Sequence, residues 1–349
     1  MKRLVILLLV VLGACSGKEQ SGLKYRFASQ EEGRRLKLED TAYYNSLSQT
    51  DIDWRLQSSG QSIDEFKAVA ASEIQEFTDE EKQVLSKVMA FIEARTAELG
   101  FRMPVTDEII FIKSDMADEA HMGGYTMCNK IYLETGLLNL MTGGYRSDPQ
   151  YDADYLEYLV QLSHTFISHE IFHCLTRNDA QFRQLVYSLI GFTVMDHEVE
   201  FGPTVSNLLL HNPDVEHIDN WAEFTIGGEK RRCALVAVFP GSYADAAAED
   251  PDLTFYGSLQ GVLVPLDNPD TTIHIEDAED FYDMVGRNTD YVWAPEECLA
   301  DNFSYLISFG FNGHYDLDPD TRKVVFIPYG TPQLIRALHK ALLDYCPAD

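Results

Sequence analysis

Apolar residues recur at helical spacing in two neighbouring stretches of the chain, over residues 66–74 and 84–92. A period of three to four residues places such side chains on one face of a helix. Thr78 stands before three acidic residues, and Gly100 follows the second stretch, as is typical of a helix start and a helix end. The pattern therefore predicts two helices between residues 62 and 99.

The same helical period returns later in the chain and predicts five more helices. They cover residues 152–175, 181–195, 278–285, 295–309 and 331–345. Pro295 suits the first turn of the fourth of these helices, and Gly310 suits its end.

Short apolar runs predict the strands. Residues 108–112 and 125–133 are each expected to form one strand. The stretch 202–277 is rich in Gly, Pro, Asn and Asp, with short strands expected near 235–239 and 261–264. Strands come first and long helices follow, which favours an α+β fold.

The first fourteen residues have the pattern of a secretory signal. The basic pair Lys2 and Arg3 precedes an apolar run over residues 4–12, and two small residues stand before Cys15. The apolar run is too short to span a bilayer, which takes roughly 20 residues.

The sequence Leu12-Gly13-Ala14-Cys15 resembles the lipobox of bacterial lipoproteins. In that family the cysteine becomes the first residue of the mature chain and carries a lipid. The polar stretch after Cys15 suits a tether. An ordinary signal peptide with a cysteine at the cut is the alternative.

This resemblance implies three parts: a lipoprotein signal peptide over 1–14, a tether with a partly helical N-terminal extension over 15–60, and one main domain over 61–349. It also implies attachment to a membrane of the bacterial cell envelope through the lipid alone, facing the periplasm or the cell exterior.

The net charge of the chain limits which partners it can bind, and the spacing of its cysteines limits which metal sites it can form. The chain carries a formal net charge of −29, so it would repel the phosphates of nucleic acid, and no nucleic-acid partner is expected. Five cysteines follow Cys15, and their spacing matches no CxxC metal pattern. These are Cys128, Cys174, Cys233, Cys298 and Cys346.

The chemistry centres on the sequence His169-Glu170-Ile171-Phe172-His173. Residues four apart lie on one face of a helix, so the two imidazoles can hold one Zn²⁺. Glu170 is then placed to act as general base on a zinc-bound water. The apolar residues around the motif predict a buried helix. Two hydrogen-bonded core histidines are the alternative.

A catalytic zinc takes three protein ligands and leaves a fourth position open. The best third candidate is Glu297, which stands four residues before Asp301 in the predicted helix 295–309. Glu296 is the alternative, although the residue four positions after it is Ala300, which cannot orient a histidine. Other pairs of histidine and acid also compete, at His197, Glu198 and Glu200 and at His211 and His217.

The HExxH and ExxxD elements together resemble those of the gluzincins, the thermolysin-like zinc metallopeptidases. In that family the glutamate of the second element is the third zinc ligand, and the aspartate accepts a hydrogen bond from a ligand histidine. The resemblance therefore implies that Glu297 binds zinc and that Asp301 orients His169. The metzincin pattern fails, because Asp179 stands where it requires a histidine.

The resemblance implies a zincin-like fold, with a small mixed sheet whose edge strand lies over the HExxH helix and a mostly helical remainder. It implies hydrolysis of peptide bonds in a peptide or protein substrate. The sequence Pro-Glu-Glu-x-x-Ala-Asp-Asn-Phe over residues 295–303 is also similar to that of uncharacterised bacterial metallopeptidase lipoproteins. The stretch between His173 and Glu297 departs from thermolysin in being much longer, so an insertion has to bring the second helix back.

Several finer expectations complete this interpretation. Residues 125–132 are the candidate edge strand for binding substrate. His314, Tyr315 and Tyr291 are the candidates for stabilising the transition state. Cys174 and Cys298 each follow a predicted ligand and are expected to form a disulfide, unless they are small core residues.

The alternative functions are a non-catalytic zinc-binding lipoprotein and a zinc amide hydrolase acting on a non-peptide substrate of the cell envelope.

Overall fold

The computed structural model describes residues 22–104, 106–121, 123–250 and 252–345. The predicted signal peptide, the lipidation site Cys15 and the last cysteine, Cys346, lie outside the described residues. None of the helices in the described part has both the length and the apolar composition that crossing a membrane requires.

The helices lie mostly in the first half and at the end of the chain. They are α1 (Gln30–Lys37), α2 (Thr41–Ser46), α3 (Gln49–Arg55), α4 (Ile63–Ser72), α5 (Asp79–Leu99), α6 (Thr135–Arg146), α7 (Ala153–Asn178), α8 (Ala180–Ser188), α9 (Pro203–Leu208), α10 (Tyr243–Glu249), α11 (Phe255–Ser258), α12 (Phe281–Val285), α13 (Pro295–Phe309) and α14 (Pro332–Asp344).

The strands form three sheets. They are β1 (Tyr25–Phe27), β2 (Ile74–Gln75), β3 (Ile109–Ser114), β4 (Gly124–Met127), β5 (Lys130–Glu134), β6 (Thr193–Val194), β7 (Asn220–Ile226), β8 (Glu229–Val238), β9 (Gln260–Pro265), β10 (Ile273–His274), β11 (Gly313–Leu317) and β12 (Val324–Pro328). The α+β class is therefore confirmed.

The first sheet is mixed and has the order β1-β3-β5-β4, with β2 also paired to β3. The strands β1, β3 and β5 are parallel, whereas β4 is antiparallel to β5 and forms the edge. The second sheet is antiparallel in the order β10-β9-β8-β7-β6, and β11 pairs with β12. The predicted small mixed sheet with an edge strand is thus present.

Helices that have strong capping residues begin and end close to their predicted boundaries. Thr78 and Glu81 form a reciprocal capping box at the start of α5, and Gly100 ends that helix with φ of 81°. α13 covers the predicted range. The helix predicted over 181–195 ends early at Ser188, because Gly191 adopts φ of 79° and the chain continues into β6.

The single strand predicted over 125–133 is wrong, because this stretch forms the hairpin of β4 and β5. Cys128 adopts φ of 55° between them, and Met127 pairs with Lys130 across a two-residue turn. The stretch 202–277 also contains more strand than predicted, since β7, β8 and β9 form a continuous ladder there.

The main apolar core lies where α7 and α13 pack together. Phe172 of α7 contacts Phe303 of α13 with ring centroids 5.4 Å apart, and both side chains are fully buried. The second half of α7 is continuously buried from Ile167 to Thr176, so its polar residues need partners inside the protein.

The N-terminal extension is packed into the rest of the chain rather than set apart from it. β1 pairs with β3 in the mixed sheet, and Arg55 of α3 is only 1% exposed. Its guanidinium forms ion pairs with Asp51 and Glu119 and donates to the carbonyl of His211 at 2.7 Å. These contacts connect the N-terminal extension to Glu119 and to the stretch that contains His211.

Removal of the Arg55 side chain is expected to destabilise the whole fold. Arg55→Ala leaves the buried carboxylates of Asp51 and Glu119 without their cation, which typically costs about 3–5 kcal/mol. Urea unfolding followed by circular dichroism would measure this loss. Arg35→Ala, which removes an exposed ion pair with Glu39, is the control and should change stability little. Equally small effects in both variants would contradict a stabilising role for the buried Arg55 cluster.

Candidate metal centre

α7 presents both histidines of the motif to α13. The imidazole rings of His169 and His173 have centroids 4.8 Å apart, and both residues are buried. Their four-residue separation places them one turn apart on the same helix face, as predicted from the sequence.

The carboxylate of Glu297 lies between the two rings. Its Oε2 is 3.1 Å from Nε2 of His169 and 3.6 Å from Nε2 of His173. One ligand atom from each of these three residues lies within 4.8 Å of the others, so the group could hold a metal ion. The stretch between the two motif helices therefore does bring Glu297 to the histidines.

The donor set fits a divalent cation on two further grounds. Nε2 of His173 is buried and has no hydrogen-bond partner, which is costly unless the atom binds something else. Two imidazole nitrogens and one carboxylate are also the ligands of many catalytic zinc sites.

Asp301 lies beside the first histidine, as the sequence predicts. Nδ1 of His169 donates to Oδ1 of Asp301 at 2.8 Å, and Thr289 donates to the other carboxylate oxygen. A proton fixed on Nδ1 leaves the Nε2 lone pair free to bind a metal.

Glu296 accepts a hydrogen bond from Nδ1 of the second histidine in the same way, a role that the sequence did not predict. Nδ1 of His173 donates to Oε1 of Glu296 at 3.0 Å. Thr176 and Tyr187 also donate to this carboxylate, at 2.6 Å and 2.7 Å. Glu296 therefore contacts the Nδ1 side of the ring, away from the Nε2 atoms that converge with Glu297.

The two imidazoles differ in protonation without a metal. Burial lowers the pKa of His173 well below its ordinary value, so this ring is neutral. Burial also lowers the pKa of His169, but hydrogen bonds to Asp301 and Glu297 outweigh it and raise this pKa well above the ordinary value. A metal ion would replace the proton on His169.

Glu170 lies beside the histidines under the edge strand. The hydroxyl of Thr126 donates to its Oε2 at 2.6 Å. Burial raises the pKa of Glu170 to about 7, against the opposing charge of His169. A carboxylate held in this way is a stronger base than an exposed glutamate.

A cavity of about 420 Å³ opens in front of these residues. His169 and Glu170 line it, and so do the three predicted candidates for stabilising the transition state, His314, Tyr315 and Tyr291. Tyr291 stacks on His169 with centroids 6.0 Å apart, whereas Nδ1 of His314 is buried without a partner. All three remain candidates.

The stretch between α9 and β7 contributes two residues that the sequence did not single out. Asn212 donates to Glu297, and Asp214 accepts from the backbone N–H of Thr126 at 2.6 Å. Asp214, Glu170 and His173 form a second group that could hold a metal ion. Burial, followed by the charges of Glu170 and Glu297, raises the pKa of Asp214 well above its ordinary value.

The other histidine and acid pairs form elsewhere. His211 pairs with Asp51, and His217 pairs with Glu198. Neither pair belongs to the two metal-binding groups found in the described residues.

The disulfide expected between Cys174 and Cys298 is wrong, because both are free, buried thiols. Successive helical residues point about 100° apart. When His173 and Glu297 face each other, the residue after each one is turned away into the core. Cys298 instead approaches the carbonyl of Val285, at 3.4 Å.

The site thus combines two imidazoles and a carboxylate around one point with a buried glutamate and an open cavity. This is the donor set that the gluzincin resemblance implies, and that resemblance rests on the motif residues alone. Comparisons of the chain with family models, with curated proteins and with solved structures found no match.

Proposed function

We propose that this chain is a zinc-dependent hydrolase that cleaves peptide bonds, with His169, His173 and Glu297 as the zinc ligands. The observation that carries the proposal is the convergence of both Nε2 atoms on the Glu297 carboxylate, with Glu170 beside them at a cavity. Asp301 and Glu296 fix the histidine tautomers that such a site needs.

Zinc in this position would polarise the substrate carbonyl and lower the pKa of a water molecule. Glu170 accepts the proton of the attacking water and then passes it to the leaving nitrogen as the carbon–nitrogen bond breaks. The Thr126 hydroxyl holds the Glu170 carboxylate in place through both steps. A donor from the cavity wall, such as His314 or Tyr291, would stabilise the oxyanion.

The presence of Glu170 favours catalysis over a non-catalytic zinc protein. A structural zinc site needs no buried base beside its ligands, and burying a carboxylate without such a role is costly. A peptide substrate is favoured by the edge position of β4, whose first residue, Gly124, lines the cavity where an extended peptide could pair. The proposal places the enzyme in the bacterial cell envelope, anchored by a lipid on Cys15.

Metal removal tests this function directly. The purified chain is expected to contain one zinc ion and to cleave peptides in a mixture of random sequences, with products identified by mass spectrometry. A zinc chelator should stop cleavage, and added zinc should restore it. Protein that contains no zinc, or cleavage that persists after zinc has been removed, would contradict the proposal.

A further inference from the structure

One end of the candidate cleft is closed by the chain itself. Thr126 lies opposite Ile131 in the hairpin, at a position whose N–H and C=O point away from β5. Its N–H donates to Asp214, and its carbonyl accepts from Arg177 at 2.9 Å. Arg177 also donates to the carbonyl of Pro213 at 2.6 Å. The edge of β4 is therefore already paired at Thr126.

The open part of the cleft lies on the other side of this closure. Gly124 and Phe166 line the cavity at the start of β4, and Asp214 lines it at the closed end. An extended peptide that follows β4 can run past Gly124 but cannot continue beyond Thr126. One terminus of the peptide must therefore stop close to Asp214.

The charges at the cavity decide which terminus fits. Four carboxylates line it, on Glu170, Asp214, Asp301 and Asp316, and none of the lining residues is a lysine or an arginine. A substrate carboxylate would be repelled here, whereas an ammonium group would be attracted. Asp214 is only 4% exposed, and burial raises its pKa, so an ammonium group beside it would favour the charged carboxylate and pair with it under weak solvent screening.

Aromatic rings stand next to the same end. Trp293 contacts Tyr291 and Tyr256, with ring centroids 5.0 Å and 5.9 Å apart, and all three line the cavity. Burial raises the pKa of Tyr256, and the nearby charges of Asp214 and Glu297 raise it further. Ring faces beside carboxylates form a favourable site for an ammonium group.

We infer that Asp214 and this aromatic wall bind the free α-amino group of the substrate, so the enzyme acts at or near the amino terminus of peptides. This inference rests on the proposed hydrolase function for its substrate class. Asp214 is thereby a specificity-determining residue, which neither motif of the sequence contains.

A binding experiment separates the inference from the catalytic proposal. The zinc-loaded Glu170→Gln variant is titrated calorimetrically with a four-residue peptide amide that begins with phenylalanine, and with its N-acetylated form. The free amine is expected to bind about tenfold to a hundredfold more tightly, the value of a charge-assisted hydrogen bond. Equal binding of the two forms, or binding of neither, overturns the inference.

Asp214→Asn in the same background should remove most of this preference. Asparagine still accepts from Thr126, so the fold is retained while the charge is lost. Asp280→Asn is the matched control, because Asp280 also accepts a backbone N–H, from Thr225 at 2.8 Å, and lies outside the cavity lining. A preference that survives Asp214→Asn unchanged overturns the assignment to Asp214.

Turnover by the parent chain completes the test. Cleavage of the free peptide well above the acetylated one supports the inference, and equal cleavage of both overturns it. Selective binding without any cleavage supports the amine site and contradicts the hydrolase. Faster cleavage of both forms by a variant carrying Asp214→Asn alone would make Asp214 an internal inhibitor and overturn the inference.

Discussion

Replacement of Glu170 by glutamine is expected to abolish peptide hydrolysis while the chain keeps its zinc. The change preserves the size of the side chain and an acceptor for the Thr126 hydroxyl, but it removes the group that takes the proton. Loss of a general base typically lowers the rate by about 10²–10⁴-fold. The turnover number and the zinc content of the purified variant would be measured together.

Glu157→Gln provides the matched control. Glu157 lies on the same helix, α7, and its side chain is exposed, so its replacement should leave both rate and zinc content as they are. A Glu170→Gln variant that keeps most of its activity would contradict the assignment of the base. A variant that loses zinc would instead make Glu170 a metal ligand.

Helices and the first motif could be predicted from the sequence because their signals are local. The spacing of His169 and His173 determines their common face, and Pro295 and Gly310 mark the ends of α13. The zinc ligands proposed from these two helices do meet, although their contact spans more than a hundred residues. Only the motif resemblance connected them in advance.

The role of Glu296 was missed because only one histidine was assigned an acidic partner. α7 and α13 are antiparallel at the site, so Asp301 meets His169 while Glu296 meets His173 one turn further on. That second contact follows from the helix geometry once both helices are placed. It could have been predicted from the requirement that each ligand histidine has a partner for Nδ1.

Asp214 carried no such signal, and of the second sheet only the short strands near 235–239 and 261–264 could be predicted. β8 begins with the charged residues 229–232, which hides its strand character, and only its second half is fully buried. Asp214 reaches the site through a contact with Thr126 that no periodicity encodes. Tertiary pairing of this kind depends on the whole fold and cannot be read from a single local stretch.

Replacement of Glu297 by alanine is expected to empty the metal site, whereas Glu296→Ala should only weaken it. Glu297 is the residue whose carboxylate approaches both Nε2 atoms, so its loss removes one of three ligands. Glu296 acts through Nδ1 of His173, and loss of such a partner typically lowers metal affinity about 10–100-fold. Competition with a fluorescent zinc chelator would give both affinities.

The two variants control for each other, because both remove a buried carboxylate from the first turn of α13. Thermal unfolding of each variant would show whether the fold persists, which matters most for Glu296 since Thr176 and Tyr187 also bind it. If Glu296→Ala emptied the site and Glu297→Ala kept its zinc, the two glutamates would exchange roles. Zinc would then lie on the Nδ1 side of His173, next to Glu296, and the free Nε2 of that ring would need another partner.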